Sequence, residues 1–159
     1  MSSAGSLQPT QPLQMLQVLR DHASQERDRA AAALRRCEEV LRRAQLQGSQ
    51  LGDYRVEYTQ RWSLQFGQRG AIEIVHCYHA FMQRLDEAIA LQQRQVEAAA
   101  HELEGARQAL LRAELRVASV GKLIERRMAE LERQQWRREQ RQSDEIALHL
   151  ARRRAALQP

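Results

Sequence analysis

The chain has 159 residues, of which 28% are charged and only 4% aromatic, and its net charge of +5 is carried almost wholly by arginine. A composition dominated by Ala, Gln, Glu, Leu and Arg is that of long helices and excludes a strand-built globule. Arginine interleaves with acidic residues, as in Glu26, Arg27, Asp28 and Arg29, which reads as solvated helix faces; only Arg152, Arg153 and Arg154 come close to the gathered charge that nucleic acid needs, so no nucleic-acid partner is expected.

Residues 1–12, rich in Ser, Gly, Gln and Pro, read as a flexible tail without the basic start and apolar run of a secretion signal, and Thr10 with Pro12 offers a helix start. No run approaches a membrane span, so the chain reads as soluble and cytoplasmic. The first helix follows. From Ala30 its apolar or small positions run Leu34, Cys37, Leu41, Ala44, Gly48, Leu51 and Tyr58, in steps of four and three with one polar break at Arg55. That is a heptad seam, continued less cleanly upstream by Leu13, Leu16, Leu19 and Ala23.

"DYRVEYTQRWSLQF" closes this helix with Tyr54, Tyr58, Trp62 and Phe66 at four-residue spacing, in a chain whose other aromatics are Tyr78, Phe81 and Trp136. A four-residue repeat drifts across a helix relative to a heptad, so Tyr54, Trp62 and Phe66 are expected to leave the seam that holds Tyr58. The rings either plug the hairpin beside its turn, stacking on Tyr78 and Phe81, or dock a partner, and the two roles are compatible.

A second, longer seam runs through Tyr78, Met82, Leu85, Ile89, Gln92, Val96, Ala99, Leu103, Ala106, Leu110, Ala113, Val117, Val120 and Ile124, with Arg127 interrupting before Leu131. Beyond it, "ERQQWRREQRQSDE" keeps helix propensity while the apolar stripe fades. The two seams differ in phase by one residue, roughly 100° around a helix, so they belong to separate helices. Gly67 and Gly70 lie between them and permit a reversal. The expected fold is therefore all-α: a long two-helix antiparallel coiled-coil hairpin over residues 13–154, turning near 62–71, with a flexible C-terminus at 155–159. Pairing from such a turn sets Leu51 opposite Leu85 and Leu13 opposite Leu123 to Glu125, and leaves the second helix overhanging from about Arg126.

Chemistry-bearing motifs are few. "SVGKLIERR" lacks the first glycine and the Ser or Thr of a phosphate loop and sits within the seam, which rejects nucleotide binding. In "HCYH", Cys77 points away from His76 and His79 on a helix, so no metal site is expected. Cys37 and Cys77 form no disulfide framework. A two-helix hairpin does not shield an acid, base or nucleophile from water, so no catalytic residue, cofactor or small-molecule substrate is expected.

The order "QGSQLGDYRVEY", a short turn with glycines, then "YHAFMQRLDEAIALQQ" resembles the flagellar export protein family FliJ, with the step from Tyr54 to Tyr58 and the series Phe81, Leu85, Ala88 and Ile89 carrying most of the likeness. The resemblance implies a non-enzymatic, chaperone-like stalk of the flagellar type III export apparatus, similar in shape to the stalk of rotary ATPases. It would bridge the export ATPase ring and the membrane export gate, promote ATPase assembly and activity, and meet chaperones of export substrates, at the cytoplasmic side of the inner membrane at the flagellar base. The positions carried over to the gate are Gln47, Leu51, Tyr54, Tyr58, Phe81, Leu85, Ala88 and Gln92. The Arg-rich stretch with Arg133, Arg137, Arg138 and Arg141 would lie towards the ATPase ring. Alternatives are the equivalent stalk of a virulence secretion system, or a basic coiled coil that binds nucleic acid.

Overall fold

The computed structural model describes residues 11–66 and 72–156, and these form two helices, α1 (Gln11–Phe66) and α2 (Ile72–Ala156). Helix is dictated locally: neither helix interior contains proline beyond the first turn, and exposed faces carry supporting pairs such as Arg43 with Glu39 at 2.9 Å. Residues 62–66, expected in the turn, are instead the last turn of α1; residues 67–71, with Gly67 and Gly70, lie outside the described residues. So do residues 1–10 of the expected tail and 157–159 of the expected C-terminus, while α2 runs two residues past Arg154.

The chain divides into two units, 27–112 and 1–26 with 113–159. In the first, α1 and α2 pack antiparallel: as numbers rise along α1 from Ala44 through Tyr58 to Trp62, their partners on α2 fall from Gln92 through Phe81 to Tyr78. Every seam position expected in this unit except Arg55 is buried or half-buried, with Ala44, Leu85, Ala99 and Leu103 the most covered. Ala44 and Gly48 meet the longer Gln92 side chain of α2, and small residues at such positions let the backbones approach. Gln92 is the one buried polar residue described, and its Nε2 donates to the Ala44 carbonyl at 2.8 Å.

The contacts across the hairpin bracket the expected register: Gln92 bonds Ala44 and Tyr78 stacks on Tyr58, as that register sets them. Gln92 also reaches Gly48, Tyr78 also packs on Trp62, and Arg55 pairs with Asp86, so seam side chains meet neighbours one turn apart on the opposite helix. A Cβ at Gly48 would lie 3.7 Å from Cγ of Gln92, so Gly48→Cys with Gln92→Cys, in a background free of Cys37 and Cys77, is expected to form a disulfide within one chain. Non-reducing gels read the outcome, and crosslinks found only between chains contradict the hairpin.

In the other unit Ala23, Val120 and Ile124 are buried and Leu13, Leu16, Ala113 and Val117 half-buried, as the seam requires. Leu19 does not follow: it is 48% exposed, and Arg20, one residue on at the strict heptad position, is exposed as well. Arg127 interrupts the α2 seam as expected; its Nη1 donates to Glu130 at 3.1 Å while its Nε is buried without a partner. Coverage persists through Leu131, further than expected, and every residue from Glu132 to Ala156 is exposed. That stretch is held as helix by its own propensity and by pairs such as Gln135 to Glu139 at 3.0 Å and Gln140 to Asp144 at 3.2 Å.

Candidate docking edge

The heptad frame sorts the hairpin of residues 27–112 into two edges. Tyr54 and Gln47 precede α1 core positions Arg55 and Gly48 by one residue, and Phe81 and Ala88 precede α2 core positions Met82 and Ile89 in the same way. In an antiparallel pair such positions share one edge, and the Tyr54 and Phe81 rings do meet, 6.3 Å apart and edge to face.

The rings form one continuous cluster. Tyr58 is its hub, 4.3 Å from Phe81, 5.8 Å from both Tyr54 and Trp62, and 6.3 Å from Tyr78 by ring centroids. Trp62 and Phe66 continue it onto Tyr78 at 5.3 and 5.4 Å. Trp62 was expected to drift out of the seam but is half-buried: it stands seven residues after Arg55, in the heptad frame itself. Of the four rings on α1 only Tyr54 is exposed, at 45%.

Of the other expected gate-facing residues, Gln47 and Ala88 are exposed, Leu51, Tyr58 and Phe81 half-buried, and Leu85 and Gln92 buried against the opposite helix. The structure thus brings Tyr54, Tyr58 and Phe81 into contact and presents Gln47 and Ala88 on the same edge, while Leu85 and Gln92 face inward beneath it.

The opposite edge carries an ion pair that the sequence reading missed. Arg55 Nε donates to Asp86 Oδ1 at 2.6 Å, and this hydrogen bond holds the Asp86 carboxyl below the usual carboxylate range. Its signal was a charged residue at a core position with a carboxylate across the hairpin, legible only once the register is known. Both partners are about half exposed, so the pair fixes register more than it stabilises.

In the other unit Arg133, Arg137, Arg138 and Arg141 are all exposed on the uncovered part of α2. Among the described residues no three His, Cys, Asp or Glu gather in a way that would hold a metal ion, both cysteines are free, and no helix is long and apolar enough to cross a membrane.

A search of curated proteins returns no match for this sequence. Among solved structures the fold is similar to that described as a YscO homolog, CT670, from Chlamydia trachomatis, with a TM-score of 0.69 at 17% identity, covering 95% of this chain and 98% of that one. The sequence model of the flagellar FliJ protein matches residues 13–156, nearly the whole helical region that carries the seams and the ring cluster. The chain belongs to the flagellar FliJ family, and with it to the components of type III protein export.

Proposed function

We propose that the chain is a stalk that bridges the export ATPase ring and the membrane export gate and promotes assembly and activity of the ATPase, working peripherally at the inner membrane at the flagellar base. The observation that carries this reading is the edge of Tyr54 and Phe81: large rings left partly in water, in a protein otherwise nearly free of aromatics. Exposed rings offer much contact area at low entropic cost, which is the chemistry of a docking surface. Gln47, Tyr54, Phe81 and Ala88 are the residues that touch the gate, and Leu51, Tyr58, Leu85 and Gln92 hold them in place from the seam. Chaperones of export substrates are further partners. The flagellar family match favours the flagellar apparatus over its virulence counterpart.

The ATPase contact is assigned to the uncovered part of α2 with Arg133, Arg137, Arg138 and Arg141. Adding the intact chain to the purified export ATPase is expected to raise its turnover. Removing residues 132–159, none of whose described members is covered, is expected to abolish most of that stimulation while leaving helical melting of the remainder unchanged. Equal stimulation by the shortened chain contradicts the assignment.

A further inference from the structure

The edge that carries Tyr54 and Phe81 also carries a charge pattern. Exposed apolar side chains follow it along both helices: Val40 is 57% exposed, Ile74 43% and Leu91 53%. Exposed guanidiniums stand between them at helical spacing. Arg84 lies one turn from Phe81 on one side and one turn from Ala88 on the other, and Arg36 and Arg43 flank Val40 in the same manner. Arg43 is already held by Glu39 at 2.9 Å, and Arg61, beside Tyr58 on the same helix, pairs with Glu57. Arg36 and Arg84 make no ion pair among the described residues. The opposite edge differs, since its carboxylates Asp86 and Glu104 meet Arg55 and Arg107.

Unpaired arginines on a helix are ordinarily just solvated. Here they alternate with exposed apolar groups along one edge, on both helices, from the ring pair away from the turn. A guanidinium fork recognises a carboxylate by two parallel hydrogen bonds, and an apolar neighbour on each side excludes water from that contact. We infer that the partner of this edge is an acidic protein segment that alternates apolar side chains with carboxylates, anchored on Tyr54 and Phe81 and read by Arg84 and Arg36. This inference rests on the docking reading above and adds the chemistry of what docks. An anionic lipid surface fits less well: two unpaired guanidiniums add too weak an attraction to hold a protein there, and Glu39 and Glu57 share the same strip. A second copy of the chain fits less well too, because two chains of net charge +5 repel one another.

The test is a calorimetric titration of the intact chain with the cytoplasmic part of the export gate, at low and at physiological salt, with circular dichroism melting of each variant. Affinity is expected to fall with salt, and Arg84→Glu and Arg36→Glu are each expected to weaken binding roughly tenfold with melting unchanged. Arg107→Glu, a reversal on the opposite edge, is expected to bind as the wild type does. If Tyr54→Ala weakens binding while Arg84→Glu and Arg36→Glu leave it and its salt dependence intact, the acidic partner is ruled out and the docking reading stands. If the wild-type chain does not bind the gate, both fall together. A doubled mass in sedimentation that Arg84→Glu returns to single, or capture by phosphatidylserine vesicles that Arg84→Glu abolishes, would assign the edge to a second copy or to lipid and overturn the inference.

Discussion

Leu103→Ala is expected to lower the stability of the chain by about 2 to 4 kcal/mol. Leu103 is 6% exposed at a core position of α2, and its seam neighbours on the same helix are Ala99 and Ala106, both too small to close the space it would leave. A two-helix hairpin has a core only one layer thick, and no large side chain among the described residues is completely buried, so each large seam residue carries a considerable share of the stability. Leu91→Ala provides the comparison: Leu91 is 53% exposed, and its loss is expected to change stability by no more than about 0.5 kcal/mol. Urea unfolding followed by circular dichroism reads both. Similar losses at the two positions would mean that the seam does not hold the hairpin together.

Tyr54→Ala is expected to weaken binding to the export gate by about 2 kcal/mol or more, close to thirtyfold, with almost no change in melting temperature. Its ring touches Tyr58 and Phe81 but is 45% exposed, so folding gains little from it. Phe81→Ala is expected to weaken binding similarly and to lower the melting temperature modestly, because Phe81 is half-buried and lies 4.3 Å from the Tyr58 ring. If Tyr54→Ala instead destabilises the chain as much as Leu103→Ala, and binding merely tracks the folded fraction, the rings close the hairpin and dock nothing.

The seams were legible because a heptad pattern states directly which residues a helix hides. Leu85, Ala99, Leu103, Val120 and Ile124 were all read from spacing alone, and all are buried. The end of α1 was less legible. Strong helix propensity carried α1 through Trp62 to Phe66, past residues assigned to the turn. Individual contacts across the hairpin, such as Gln92 reaching Gly48 and Arg55 finding Asp86, do not show in spacing along one helix. Trp62 was misread because the four-residue drift was followed where the strict seven-residue frame keeps it in the core; at Leu19 neither guide holds, since Arg20, the strict frame position, is exposed as well. At the docking edge, spacing marked Tyr54 as leaving the seam, but the ladder taken from family resemblance did not separate Tyr54, Phe81 and Ala88 from Leu85 and Gln92, which are buried. A pattern of residue types along a helix does not by itself distinguish the groups that touch a partner from those that support them.

Bridging is the central claim, and it is tested most directly by mixing the intact chain with the export ATPase and the cytoplasmic part of the export gate and resolving the products by analytical ultracentrifugation. The account predicts one species that contains all three, lost with Tyr54→Ala on the gate side and with removal of residues 132–159 on the ATPase side. Two separate binary complexes that compete for the chain, so that adding the gate displaces the ATPase, would contradict it.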